Sequence, residues 1–182
     1  KLLGIIAVAD TIKKDSPQAI RELQNMGIRV VMITGDNERS AKAIGKLAGV
    51  DEVIAGVLPE GKEKEIARLK EQGSVIMVGD GINDSPALSA ADVGIAISDG
   101  AELAREIADI TIGADDLSVM VTLKEISNGL MDKIHKNYRR IVGINGSLIA
   151  LGVTGVIQPT MSALLHNTST LLIGMDSMKS VL

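Results

Sequence analysis

The stretch at residues 74–87 reads Ser-Val-Ile-Met-Val-Gly-Asp-Gly-Ile-Asn-Asp-Ser-Pro-Ala. Its β-branched part, residues 75–78, is typical of a buried strand, and the Gly-Asp-Gly after it predicts a tight loop where that strand ends. In an open α/β sheet, ligands bind at this edge. We therefore expect Asp80 and Asp84 to meet in one crevice, with Asn83 between them.

Two carboxylates in one crevice indicate a bound cation, because they would otherwise repel each other. Oxygen ligands on a polar loop suit Mg²⁺, which takes one or two carboxylates and completes its shell with water and substrate phosphate. Asp80 and Asp84 are therefore candidate Mg²⁺ ligands. The alternative is a Gly/Asn/Asp turn that only reverses the chain.

Composition excludes several classes of protein. The chain has 182 residues and no cysteine, so it contains neither a disulfide framework nor a thiolate metal site. A net charge of −4 and a single aromatic residue, Tyr138, argue against a nucleic-acid partner. The mean hydropathy of +0.26 is high for a soluble domain, and the apolar excess follows Arg140.

The chain before that point alternates strands and helices, with Pro59 and Gly61 read as part of a loop. Such alternation predicts parallel βαβ units and a doubly wound, mostly parallel α/β sheet. Predicted strands cover residues 2–9, 29–33, 52–54, 75–78, 93–97 and 110–112, and predicted helices cover residues 17–26, 38–47, 62–71, 85–91 and 101–108.

Two further segments carry candidate chemistry. Thr34, Gly35 and Asp36 follow a predicted strand, where a hydroxyl and the N–H groups of a glycine turn can bind phosphoryl oxygens. The alternative is that Thr34 and Asp36 merely cap the next helix. Lys62 can neutralise a phosphoryl group as a point charge, or it is one more solvated lysine on a charged helix.

The order of these segments resembles the phosphorylation domain of P-type ATPases, a branch of the haloacid dehalogenase-like superfamily. The resemblance rests on Thr34-Gly-Asp, then Lys62, then the Gly-Asp-Gly-Ile-Asn-Asp motif at residues 79–84, and it extends to Ala-Asp-Val-Gly-Ile-Ala at residues 91–96. It implies an ATP-driven enzyme with Mg²⁺ and ATP as cofactors. The roles it implies are Mg²⁺ ligation by Asp80 and Asp84, phosphoryl contact by Thr34 and Asn83, charge stabilisation by Lys62, and a nucleotide- and phosphate-facing loop at Gly35 and Asp36.

The nucleophile of that family, the Asp of Asp-Lys-Thr-Gly-Thr, does not occur in the sequence. Asp10 is followed by Thr-Ile-Lys-Lys, which matches neither that motif nor the Asp-x-Asp of soluble phosphatases, so we assign it a supporting role beside the cofactor. We expect the nucleophile to precede Lys1 in a longer pump and the chain alone to be inactive. The alternatives are a soluble Mg²⁺-dependent phosphatase using Asp10 and a non-catalytic regulatory remnant.

The last third of the chain predicts membrane insertion. Residues 126–140 read as an amphipathic basic helix, and residues 141–157 and 160–175 are apolar spans near the short limit for crossing a bilayer. The basic cluster before the first span and Lys179 after the second place both ends, and residues 1–140, in the cytoplasm. We expect a phosphorylation domain at 1–122, a connecting helix at 123–140 and a transmembrane hairpin at 141–182 in the plasma membrane; the alternative is a pair of buried core helices.

A single terminal helix pair resembles the heavy-metal-transporting P-type ATPases. Asn145 matches a position of the family's penultimate helix, and His166 falls where the last helix carries transport-site residues. Imidazole suits Zn²⁺ and Co²⁺, although a packing histidine is the alternative. Neither the Met-x-x-Ser-Ser pattern of copper pumps nor the Asp of the zinc, cadmium and lead group occurs there, so the motifs leave the ion open. On the imidazole of His166 we expect export of a divalent ion such as Zn²⁺, Cd²⁺ or Co²⁺. The implied partners are the lipid bilayer and the nucleotide-binding, actuator and remaining membrane segments of the same pump.

Overall fold

The computed structural model describes residues 12–79, 84–97, 106–113 and 116–180. The chain divides into two compact units, Lys1–Val121 and Thr122–Leu182. In chain order the elements are α1 (Ser16–Asn25), β1 (Val31–Ile33), α2 (Glu38–Ala48), β2 (Glu52–Ile54), α3 (Pro59–Lys70), β3 (Ile76–Gly79), α4 (Ser85–Ala90), β4 (Val93–Ile97), β5 (Ile110–Ile112), α5 (Ser118–Val153) and α6 (Pro159–Ser177).

The first unit is an α/β fold with parallel strands, as predicted. β1 pairs with β2 in one sheet, and β3, β4 and β5 pair in that order in another. Within the described residues these are separate sheets of two and three strands, whereas the sequence predicts one sheet. The strand predicted at residues 2–9 and most of the helix predicted at 101–108 lie outside the described residues.

One apolar cluster connects the elements of both sheets. Ile66 of α3, Met77 of β3 and Leu88 of α4 form its centre, and Ile33 at the end of β1 packs against it. Full burial of a side chain such as Ile66 or Leu88 contributes roughly 2 kcal/mol to folding. Because Ile33 is the last residue of β1, the cluster reaches the end of that strand, directly before Thr34.

The helix boundaries follow local chemistry. Gly49 ends α2 in the left-handed conformation (φ 82°), which costs glycine little. Helix α3 begins at Pro59, so Pro59 and Gly61 belong to its first turn, and their assignment to a loop is wrong. Proline suits the first helical turn because its missing N–H would have no intrahelical acceptor there.

Three aspartates tie the amino ends of neighbouring strands together. Each immediately precedes a strand and accepts a hydrogen bond from a backbone N–H at the amino end of the strand paired with it. Each N–H lies just before the first paired residues of the two strands, so the aspartate supplies the acceptor that the strand pairing does not. The pairs are Asp51 with Val30 (2.7 Å), Asp92 with Val75 (2.8 Å) and Asp109 with Gly94 (2.8 Å).

The second unit contains most of α5 and all of α6, which run antiparallel. Arg140 Nη1 donates to Asp176 Oδ2 (2.8 Å), and Asn137 Nδ2 donates to Ser177 Oγ (2.7 Å). Helix α5 is continuous over 36 residues, so the predicted connecting helix and the first predicted span form a single helix.

The described helices include no candidate membrane span, and the predicted transmembrane hairpin is therefore not confirmed. The charged residues of α5 up to Arg140 and the His-Asn-Thr-Ser-Thr run at 166–170 of α6 lower the hydropathy of both helices. Many large apolar side chains of the pair are nevertheless exposed, among them Ile149, Leu151, Val153, Leu164, Leu171 and Leu172.

We call the three hydrogen bonds from strand N–H groups to Asp51, Asp92 and Asp109 the aspartate ties. They predict that the stability of the fold depends on pH. The hydrogen bond from the Val75 N–H, and then Lys70, lower the pKa of Asp92. A lowered pKa in the folded state adds stability above the unfolded value of about 3.9, and this stability is lost as the pH falls through the folded value. Asp92→Asn should therefore lower the Tm at pH 7, and the difference from the parent chain should shrink below about pH 4.

The measurement is thermal unfolding of both proteins from neutral to acid pH. Glu63→Gln serves as the control, because Glu63 is exposed on α3 and the structure describes no ion pair for it. A Tm difference for Asp92→Asn that is the same at every pH would show that charge plays no part in the tie.

Candidate functional site

Thr34 lies directly after β1 and is held through its backbone. Its N–H donates to the Ile54 carbonyl (2.9 Å), and its carbonyl accepts from the Val57 N–H (3.0 Å). The Gly56 N–H donates to the Asp36 carbonyl (2.9 Å). The loop after β1 is thus joined to the segment after β2, which leads directly into α3 and Lys62.

The carboxylate of Asp36 pairs with Thr34. Thr34 Oγ1 donates to Asp36 Oδ2 (3.1 Å), and the Asp36 N–H donates to Thr34 Oγ1 (3.2 Å). Helix α2 is capped by Asn37 instead, whose Oδ1 accepts from the Ser40 N–H (3.0 Å). The alternative that Thr34 and Asp36 only cap this helix is therefore wrong. Gly35 lies exposed between them, so the turn is open to a ligand.

Lys62 and Asp84 form an ion pair between α3 and the residue that precedes α4. The distance from Lys62 Nζ to Asp84 Oδ1 is 2.5 Å, and the two side chains are only 15% and 13% exposed. Lys62 is thus no solvated surface lysine. A nearly buried ammonium beside a carboxylate is a strong interaction, because neither charge retains its full hydration.

Gly79 makes room for this carboxylate. A Cβ atom at position 79 would lie 2.7 Å from Asp84 Oδ2 and 2.9 Å from Asp84 Cβ, closer than real Cβ atoms approach. The motif alone predicts no separate role for Gly79. The sequence feature that indicates such a role is the position of this glycine, directly before a segment that contains two aspartates.

The structure therefore links three of the predicted segments in a chain of contacts. The Thr34 loop is bonded to the segment before α3, α3 supplies Lys62, and Lys62 reaches Asp84. The predicted residues Asp10, Asp80 and Asn83 lie outside the described residues.

The donor chemistry at Asp84 fits Mg²⁺. The ion takes one or two carboxylates and otherwise water and phosphate oxygens, so a single carboxylate at a polar sheet edge is a sufficient protein ligand. Among the described residues no group of three His, Cys, Asp or Glu side chains is placed to hold a metal. Lys62 satisfies one oxygen of Asp84, and the other oxygen faces Gly79.

A second pair of predicted residues meets between α5 and α6. His166 Nδ1 lies 2.8 Å from Asn145 Oδ1, so the ring nitrogen donates to the amide oxygen. The His166 carbonyl in turn accepts from Ser169 Oγ (2.8 Å) and Thr170 Oγ1 (2.9 Å). Such a bond through Nδ1 fixes the ring and leaves Nε2 as the nitrogen available to a ligand.

Comparison with known proteins gives one family and two kinds of relative. Residues 1–92 match the haloacid dehalogenase-like hydrolase family, which is just over half of the 182 residues. A copper-exporting P-type ATPase of Staphylococcus haemolyticus is 49% identical over 160 residues, which are 87% of this chain and 20% of that protein. A protein of the same name in Staphylococcus epidermidis is 45% identical over 177 residues, which are 97% of this chain and 22% of that protein.

A solved structure is similar over the same extent. The crystal structure of a zinc-transporting PIB-type ATPase in its E2.Pi state matches with a TM-score of 0.86 at 34% identity, covering 93% of this chain and 28% of that one. The chain spans about a fifth of the length of the curated relatives it matches. These similarities confirm the resemblance drawn from the motifs: the chain belongs to the haloacid dehalogenase-like hydrolases, and its relatives over nearly the whole sequence are metal-transporting P-type ATPases.

Proposed function

We propose that the chain is part of an ATP-driven heavy-metal pump that works through an aspartyl-phosphate intermediate formed on a residue preceding Lys1. The observation that carries the proposal is the nearly buried Lys62–Asp84 pair. It is linked to the Thr34 loop through the segment after β2, which is hydrogen-bonded to that loop and leads into α3. The name of the relatives supports it, because proteins 45–49% identical to this chain are named as metal-exporting P-type ATPases.

In this proposal the residues of the chain position a phosphoryl group and offset its charge. The N–H groups of the turn at Gly35 bind phosphoryl oxygens, and the Thr34 hydroxyl joins them by exchanging its hydrogen bond to Asp36 Oδ2 for one to the phosphoryl group. The Lys62 ammonium stabilises the charge that develops during transfer, while Asp84 keeps the ammonium in place. Asp84 and Asp80 would hold Mg²⁺, which would neutralise charge on the phosphates of ATP, and Asn83 would contact the phosphoryl group. Asp10 keeps the supporting role predicted from the sequence.

The helix pair is proposed to lie in the plasma membrane as the last two spans of the pump, with residues 1–140 in the cytoplasm. The exposed apolar side chains of α5 and α6 support this placement, because a patch of that size needs an apolar surrounding. The nucleotide-binding, actuator and other membrane segments of the same pump are the remaining partners.

The transported ion is proposed to be divalent, of the Zn²⁺, Cd²⁺ or Co²⁺ type. His166 and Asn145 supply nitrogen and oxygen donors, which suit these ions, whereas Cu⁺ is selected by thiolate and thioether ligands. The sequence relatives are named for copper and the similar structure for zinc, so their names alone do not choose between the ions.

The test of the proposal is phosphorylation of a longer protein that adds the residues preceding Lys1. With labelled ATP and Mg²⁺ we expect acid-stable, alkali-labile labelling that Zn²⁺, Cd²⁺ or Co²⁺ increases. Asp84→Asn should lower labelling by about 100-fold or more, since it leaves the Lys62 ammonium without its counter-ion. Glu63→Gln, an exposed acid on the same helix as Lys62, should leave labelling intact. Full labelling of Asp84→Asn would remove Asp84 from the site.

Gly79→Ala tests whether the glycine positions Asp84. The added Cβ must displace the carboxylate and strain its ion pair with Lys62, so labelling per folded molecule should fall roughly tenfold or more and the Tm should fall as well. Gly94→Ala is the matched control, because its Cβ would lie 2.7 Å from the Leu88 carbonyl oxygen, away from Asp84. It should lower the Tm and spare labelling per folded molecule. A lowered Tm with unchanged labelling per folded molecule in Gly79→Ala would show that Gly79 serves only packing.

His166→Ala tests the transported-ion site. We expect the metal concentration that half-activates labelling to rise roughly tenfold or more, and Asn145→Ala to act in the same direction by releasing the imidazole ring. The chain has only two histidines, so His135→Ala on α5 is the natural control. Stimulation by Cu⁺ alone, unchanged in His166→Ala, would contradict the divalent assignment.

A further inference from the structure

Helix α5 presents two chemically different faces over residues 130–142. At 3.6 residues per turn, Leu130, Ile134, Tyr138 and Ile141 share one face, and all four are exposed apolar or aromatic side chains. The opposite face carries cations. Three of its residues are cations and one is a histidine. Together with Asp132 these four line one open depression of about 420 Å³, and we call them the basic ridge: His135, Lys136, Arg139 and Arg140.

The two central cations of the ridge have no protein partner among the described residues. Arg140 is paired with Asp176 at 2.8 Å, and Lys133 nearby donates to the Lys179 carbonyl. For Lys136 and Arg139 the structure describes neither an ion pair nor a hydrogen bond through the side chain, and both are exposed. The single Asp132 carboxylate in the same depression does not balance Lys136 and Arg139, so the depression keeps a net positive charge that attracts an anion.

We propose that the basic ridge binds the phosphate headgroup of an anionic phospholipid. Lys136 and Arg139 supply donors in the depression, and both lie within two turns of residue 141, where the proposed span begins and where cations beside a membrane helix meet the lipid headgroups. The net charge of −4 disfavours a larger polyanion. This inference rests on the membrane placement proposed above and adds a lipid preference to it.

The experiment uses lipid quenching in the full 182-residue chain. The chain contains no tryptophan, so Tyr138→Trp introduces a single fluorophore beside the ridge. The protein is reconstituted into phosphatidylcholine vesicles that contain brominated phosphatidylglycerol or brominated phosphatidylcholine, and the ratio of the two quenching efficiencies gives the lipid preference. We expect phosphatidylglycerol to be preferred roughly fivefold or more, and the preference to fall at high salt.

Lys136→Gln with Arg139→Gln should bring this preference close to unity, since each cation near an anionic surface contributes roughly fivefold. Lys136→Arg with Arg139→Lys should retain it. Arg39→Gln with Lys46→Gln removes two exposed cations from α2 and should leave the preference unchanged.

A preference that survives the Lys136 and Arg139 substitutions would overturn the lipid site while leaving the membrane placement intact. Absence of quenching by either lipid would overturn the membrane placement and the lipid site together. The two failures are therefore distinguishable in one set of vesicles.

Discussion

The ion pair between Lys62 and Asp84 is the interaction on which the organisation of the first unit depends. It joins α3, which follows β2 of the two-stranded sheet, to Asp84, which precedes α4 and belongs to the segment after β3 of the three-stranded sheet. The apolar cluster around Ile66 and Leu88 brings these elements together, but apolar packing has no direction. The short, nearly buried charge pair fixes their orientation, since separating it would leave an uncompensated charge.

The sequence predicts the elements of the fold more successfully than their ends. β2, β4 and β5 have the predicted bounds, because short β-branched runs between turn residues leave few alternatives. The start of α3 at Pro59 is missed, since proline is read as a breaker although it suits a first helical turn. The division into two sheets is also not predictable, because strand order depends on contacts between segments far apart in sequence.

The candidate site shows the same limit. Residue types are sufficient to name Thr34 and Asp84, which follow strands, and Lys62, which begins a charged helix, as candidates, but not to state which of them touch. Three arrangements are visible only in the structure: the Thr34–Asp36 hydrogen bonds, the closeness of Gly79 to the Asp84 side chain, and the His166–Asn145 hydrogen bond. Each joins groups whose distance is set by backbone geometry or helix pairing. A sequence pattern therefore identifies the chemistry, and the structure supplies the partners.

The aspartate ties at Asp51, Asp92 and Asp109 all lie at the amino ends of the strands, opposite the edge that carries Thr34 and Asp84. Pairing of neighbouring strands within each sheet and the chemistry proposed for the site thus depend on separate groups of residues at opposite ends of the strands. Apart from Lys62 and Asp84, whose ion pair orients the elements of the first unit, the residues at the carboxyl edge can change without loosening the strand pairing. An architecture divided in this way allows one scaffold to acquire different chemistries, because variation at one edge is not penalised at the other.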